Sequence, residues 1–119
     1  MSDHTLLLAK AREYDAQGDV YNAVKLYKRC IKLLPEWVEP YMYLAEIYKK
    51  RAEWKPALYY AKKALSLDAS LADTWWTLGI TAVALGKARL ANSVWSKFGP
   101  SNPRAALISL QLTHSGIFE

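Results

Sequence analysis

Apolar residues recur along this chain at helical spacing, and the spacing itself repeats. Leu7, Ala11 and Tyr14 lie at i, i+4 and i+7, an apolar stripe that predicts a helix over 3–17, with Asp3 as its candidate cap. Gly18-Asp19 interrupts the stripe. Asp19 is placed to cap a second helix over 20–33, whose inward residues are Val20, Ala23, Val24, Tyr27, Cys30, Ile31 and Leu34. Pro35 ends it, because proline disfavours helical geometry in the residue before it. The same order then returns. Tyr41, Leu44, Ala45 and Tyr48 predict a helix over 38–51, and Ala57, Ala61, Ala64 and Leu65 a helix running to 67, with Pro56 tolerated in its first turn. Trp75, Leu78, Gly79 and Ala82 predict a helix over 72–85, preceded by Ser70 and Asp73 at capping-box spacing. Ala91, Val94, Trp95 and Phe98 predict one over 88–98. Asn102 and Pro103 then mark the start of a seventh helix, with Ala106, Leu107 and Leu110 inward.

Trp75-Leu78-Gly79, Tyr41-Leu44-Ala45 and Leu7-Lys10-Ala11 stand 34 residues apart. A fixed period with a helix pair inside each unit predicts an array of helical repeats. Terminal units of such an array need a cover for their outer apolar face, which the seventh helix is placed to provide.

These residues resemble the tetratricopeptide repeat family. The third unit matches it at Trp75, Leu78, Gly79, Gly86, Ala91, Trp95 and Pro103. The second matches at Tyr41, Leu44, Ala45, Tyr48, Ala57, Ala64 and Leu65, with Ala61 for the family's aromatic and Ala69 for its proline. The first matches at Ala11, Tyr14, Gly18, Ala23, Tyr27 and Pro35, with Lys10 where leucine is expected. The resemblance implies an all-α fold, a right-handed α-α superhelix of three helix-turn-helix repeats over about 4–37, 38–71 and 72–105. A capping helix over about 103–115 completes one domain spanning 1–119.

Composition narrows the function. Apolar residues make up 52% of the 119, enough for a continuous core, and no run of 18 apolar residues predicts a membrane span. The N-terminus does not read as a secretory signal. One cysteine, Cys30, allows no internal disulfide, so a cytoplasmic setting is expected, and its inward position makes it a structural thiol. The two histidines, His4 and His114, have no companion ligands, and no phosphate loop occurs. No metal, cofactor or catalysis is therefore expected. The net charge is +5, but residues 1–37 mix six basic with five acidic groups and residues 38–71 mix six with four. Lys25, Lys28, Arg29, Lys32, Lys62 and Lys63 are expected on the convex face as a solvated stripe, which makes nucleic acid an unlikely partner.

What remains is a surface. The first helix of each pair is expected to line the concave side, and the resemblance implies that peptides bind there. Three rows of side chains lie off the core stripe at that face. They are Leu8, Met42 and Trp76; Arg12, Glu46 and Ile80; and Asp15, Lys49 and Val83, with Lys50 and Tyr43 beside them. The third unit is the apolar end, and Trp76 is the expected anchor. The expected function is a scaffold that binds a protein or peptide segment in this groove. The other readings are a unit that self-associates through the apolar patch, a patch covered by Ile117-Phe118, and the interaction segment of a larger protein. A subclass of the family grips chaperone C-terminal carboxylates through basic and amide residues. The matching positions here are Leu8, Arg12, Tyr43, Asp73 and Thr77, of which only Arg12 is basic, so such tails are not expected to bind.

Overall fold

The structure, a computed structural model, describes residues 3–96. Six helices follow one another: α1 Asp3–Ala16, α2 Val20–Leu33, α3 Val38–Lys50, α4 Trp54–Leu67, α5 Ala72–Ala84 and α6 Ala88–Trp95. They pack as three antiparallel pairs, α1 with α2, α3 with α4 and α5 with α6, and each pair stacks on the next. No strand occurs among the described residues. Phe98 and the expected seventh helix, with Ala106, Leu107, Ile108 and Leu110, lie outside the described residues.

Each pair reverses direction through the same turn. Gly18 (φ 82°), Ala52 (φ 58°) and Gly86 (φ 71°) occupy equivalent positions in the left-handed region. The amide one residue further on reaches back to the last helical turn: Asp19 to the Tyr14 carbonyl (2.9 Å), Glu53 to Tyr48 (2.9 Å) and Lys87 to Ala82 (2.8 Å). The left-handed residue's own amide bonds to Asp15, Lys49 or Val83 at 3.0–3.1 Å. This is the Schellman arrangement, which satisfies the carbonyls a helix end leaves open. Asp19 then caps α2 as expected, its Oδ1 accepting the Asn22 amide at 3.2 Å.

The interior forms two clusters. Around Tyr27 are Leu8, Ala11, Ala23, Cys30, Leu44 and Ile47. Around Trp95 are Ala45, Ala61, Leu65, Leu78, Ala82, Ala91 and Val94. Tyr60 packs against both, stacked on Tyr48 at 5.7 Å with the planes 6° apart. It supplies, one position early, the aromatic bulk that Ala61 lacks. Adjacent repeats are tied by one recurring bond. The Tyr41 hydroxyl donates to the Pro35 carbonyl at 2.7 Å, and the Trp75 indole N–H, 34 residues on, to the Ala69 carbonyl at 2.8 Å.

Three expectations are corrected. Asp3 lies inside the first turn of α1 rather than before it. The capping box does not form. Leu71 holds the cap position of α5 without a side-chain bond, while the Ser70 amide and hydroxyl both donate to Asp68 Oδ1 at 3.0 and 2.6 Å. The nearer carboxylate captures the serine. Within the run Leu6-Leu7-Leu8, Leu8 is the buried residue at 8% exposed, Leu7 is half-buried, and Leu6 points outward at 53%.

Two substitutions test this packing. Ala52→Gly removes the cost of placing a Cβ in left-handed geometry. It should stabilise the fold by about 1 kcal/mol and raise Tm by roughly 4 °C in thermal unfolding. Gly79→Ala should do the reverse. A Cβ at Gly79 would stand 2.6 Å from the Trp95 ring, which is 4% exposed and has no room to retreat. The overpacking, about 1–3 kcal/mol, exceeds the roughly 1 kcal/mol gain in helix propensity, so chemical denaturation should show a net loss.

Candidate functional site

α1, α3 and α5 are the first helices of successive pairs, and the residues at equivalent positions on them share one face. Asp15 and Arg12 come from α1, Tyr43, Glu46, Lys49 and Lys50 from α3, and Thr77 from α5. Arg12, Asp15, Ala16, Tyr43, Glu46 and Lys50, with Tyr27 of α2 at the back, line an open depression of about 420 Å³.

The polar groups there hold one another. The Arg12 guanidinium lies over the Tyr43 ring, 5.1 Å from its centroid, a cation–π contact that leaves the guanidinium's in-plane donors available. Tyr43 in turn stacks on Tyr27 at 5.3 Å. The Tyr27 ring is fully buried, and its hydroxyl donates to Asp15 Oδ2 at 3.4 Å. On α3, Glu46 is gripped from two sides. Lys49 Nζ lies 3.1 Å from its Oε2, and the Thr77 hydroxyl donates to its Oε1 at 2.9 Å across to the third repeat. A chain of polar contacts thus runs from Glu46 to Thr77, and a second from Asp15 through Tyr27 and Tyr43 to Arg12. They meet at the wall shared by Tyr43 and Glu46.

The remaining row residues are placed differently. Leu8 is buried, and it borders a separate depression of about 790 Å³ with His4, Thr5, Leu34, Pro35, Glu36, Trp37 and Glu39. Met42 is half-buried. Trp76, Ile80 and Val83 are half-buried too, packed against the cluster around Trp95. The Trp76 ring meets Trp95 edge-on, at 4.9 Å and 62°. The structure therefore brings Arg12, Asp15 and Glu46 together with Lys49 beside them, and turns Trp76 partly toward α6.

Two participants are not evident from the helical phase. The repeat pattern marks Tyr27 only as core, yet it is where the site meets the core. The signal was the hydroxyl, since a buried tyrosine needs a partner for it and Asp15 is one helix away. Thr77 entered only as a clamp position, and its bond to Glu46 spans 31 residues, beyond any local pattern.

Cys30 is fully buried, with its Sγ 4.0 Å from the His4 carbonyl, and burial raises its pKa, which keeps the thiol protonated and unreactive. Among the described residues no group of three or more His, Cys, Asp or Glu is placed to hold a metal. No helix among them is long and apolar enough to cross a membrane.

No protein-family model matches the chain, and no curated protein matches it. Solved structures do. The first TPR of Spaghetti (RPAP3), bound to the HSP90 peptide SRMEEVD, superposes with a TM-score of 0.80 at 19% identity, over 94% of this chain and 91% of that one. The TPR2B domain of yeast Sti1, in a pHsp70 complex, superposes with a TM-score of 0.77 at 19% identity, over 94% of this chain and 97% of that one. The fold is that of a tetratricopeptide-repeat domain. In a tetratricopeptide-repeat fold the helix pairs form a stacked array, so the face carrying Arg12, Asp15, Tyr43, Glu46 and Thr77 runs continuously across all three repeats.

The wall of the site has a pH signature. Burial first, and the Asp15 charge second, hold the Tyr27 phenol well above its ordinary value of 10.0. Burial likewise raises Tyr41 and Tyr60. These phenols stay protonated in the folded chain while the unfolded chain begins to release protons near pH 10. Their contribution to stability is therefore complete below that pH and declines as pH rises through it. Tyr27→Phe should flatten the decline. Urea unfolding at about pH 8 and about pH 11 should show the variant losing about 1 kcal/mol less than the parent over that interval.

Proposed function

We propose that this tetratricopeptide-repeat domain is a protein-interaction module that binds an extended segment of a partner protein along the face of α1, α3 and α5. The observation that carries the reading is the mutual anchoring of Arg12, Tyr43, Glu46 and Thr77 across three repeats. Side chains already held in one geometry lose little entropy on binding, so such a surface is ready to receive a ligand. Arg12 and Lys50 offer donors, and Asp15 and Glu46 offer acceptors. An extended peptide backbone, with both kinds of group at each residue, suits that alternation. Met42, Ile80 and Val83 supply the apolar contacts beside it, and Lys49 holds Glu46 in place. Leu8, the buried member of the rows, contributes less, and Trp76 is half-buried like Met42, Ile80 and Val83.

Of the similar structures named above, one holds the HSP90 peptide SRMEEVD and the other is a pHsp70 complex. The segment taken by this chain is nevertheless of another kind than the acidic end of SRMEEVD. At the clamp positions Leu8 is buried, Tyr43 stacks on Tyr27, Thr77 donates to Glu46, and Asp73 is an exposed carboxylate. Of the clamp positions Arg12 alone is basic, and Glu46 stands nearby to repel an incoming carboxylate.

A peptide selected from a random display library against the parent protein tests the reading. Arg12→Ala with Glu46→Ala should weaken its binding by more than about 1 kcal/mol in isothermal titration, with the helical circular dichroism unchanged. SRMEEVD should give no heat at micromolar concentration. A selected peptide that binds both proteins equally would refute the assignment of the face.

A further inference from the structure

A second cleft shares no residue with the face just described. It lies between α2 and the α3–α4 turn and has a volume of about 460 Å³, with Val20, Tyr21, Val24, Lys25 and Lys28 on one side and Tyr48, Arg51 and Glu53 on the other. Its floor is apolar. Its rim is basic, and the basic groups do not cancel against acids. Glu53 is the one acidic residue of the lining, and it is taken up by Arg51, whose Nε lies 2.7 Å from its Oε2. That leaves the Lys25 and Lys28 charges in excess, both exposed, with Arg29 and Lys32 continuing the basic stripe along the outer face of α2. The Lys28 ammonium lies beside the Tyr48 hydroxyl, at the mouth of the cleft. Tyr21 stands 77% exposed at its edge, the most exposed large apolar side chain of the described residues.

We propose that this cleft is a second binding site, for an acidic segment of a partner protein that carries an apolar side chain between its carboxylates. The apolar side chain enters between Val20, Val24 and Tyr48, with Tyr21 closing over it. The carboxylates lie on Lys25 and Lys28. The volume suits one large side chain and its flanking backbone. The same groups serve a nucleic-acid strand poorly. Single-stranded nucleic acid needs open aromatic faces in series, whereas Tyr48 is already stacked on Tyr60. Since the two sites have no residue in common, the domain holds a groove ligand and an acidic segment at once.

Amide chemical shifts of the isotope-labelled protein, titrated with the synthetic peptide Asp-Glu-Leu-Phe-Asp-Glu, test the proposal. Saturable shifts are expected at Val20–Lys28 and Arg51–Glu53. Lys25→Glu with Lys28→Glu should weaken the peptide about tenfold or more while leaving the groove peptide's affinity unchanged. Arginine at both positions should retain binding. Shifts confined to Arg12, Tyr43 and Glu46, no shifts at all, or equal binding of Lys-Lys-Leu-Phe-Lys-Lys would each overturn it. So would an oligouridylate that binds the cleft more tightly than the acidic peptide and with a steep salt dependence. Because the readout is mapped residue by residue, failure here is distinguishable from failure of the groove.

Discussion

The architecture depends on one residue per repeat being held in left-handed geometry. Gly18, Ala52 and Gly86 reverse the chain within three residues, and the back-reaching bonds from Asp19, Glu53 and Lys87 fix the angle at which the second helix leaves. A longer turn would let the helices splay. The short one presses Ala11, Ala45 and Gly79 against the facing helix, where they are buried. Helix approach is set by the smallest residue at the contact. In the third repeat that residue has no Cβ at all, and the vacated space is filled by the Trp95 ring.

From that contact the site follows. With α1, α3 and α5 brought to the same depth, the side chains one row round from the core come within reach of those on the neighbouring repeat. Thr77 reaches Glu46, and Arg12 reaches Tyr43. The face is ordered because it is continuous with the core. Tyr27 spans the two, with its ring in the interior and its hydroxyl on Asp15. Rigidity in the core is thereby passed to the surface proposed to receive a ligand.

Most of the fold was legible in the sequence because its cause is periodic. The 34-residue spacing located all six described helices, with α1, α3 and α5 each ending one residue earlier than the apolar stripe suggests; after α3 and α5 the next residue, Arg51 or Leu85, serves as the cap. The site was legible in part. Arg12, Asp15, Glu46 and Lys49 could be named from their phase on the helix. What phase does not carry is which side chain finds which partner. Ser70 met Asp68 before it could cap α5, and Trp76 met Trp95 across a turn. Both outcomes rest on distances between elements, which no single-helix pattern encodes. At 19% identity to similar folds, few individual residues are shared, yet the fold is the same, because many residue choices satisfy the same steric requirement.

The bonds from Tyr41 to Pro35 and from Trp75 to Ala69 have a direction. In each, the later repeat carries the donor and the earlier one only a backbone carbonyl, which every residue possesses. A duplicated block of 34 residues therefore arrives with its own clasp, and for that bond needs nothing new from the unit it joins. The first repeat has Leu7 at this position and no hydroxyl or indole to offer. An array built this way lengthens by copying, with this clasp at each joint supplied by the incoming copy.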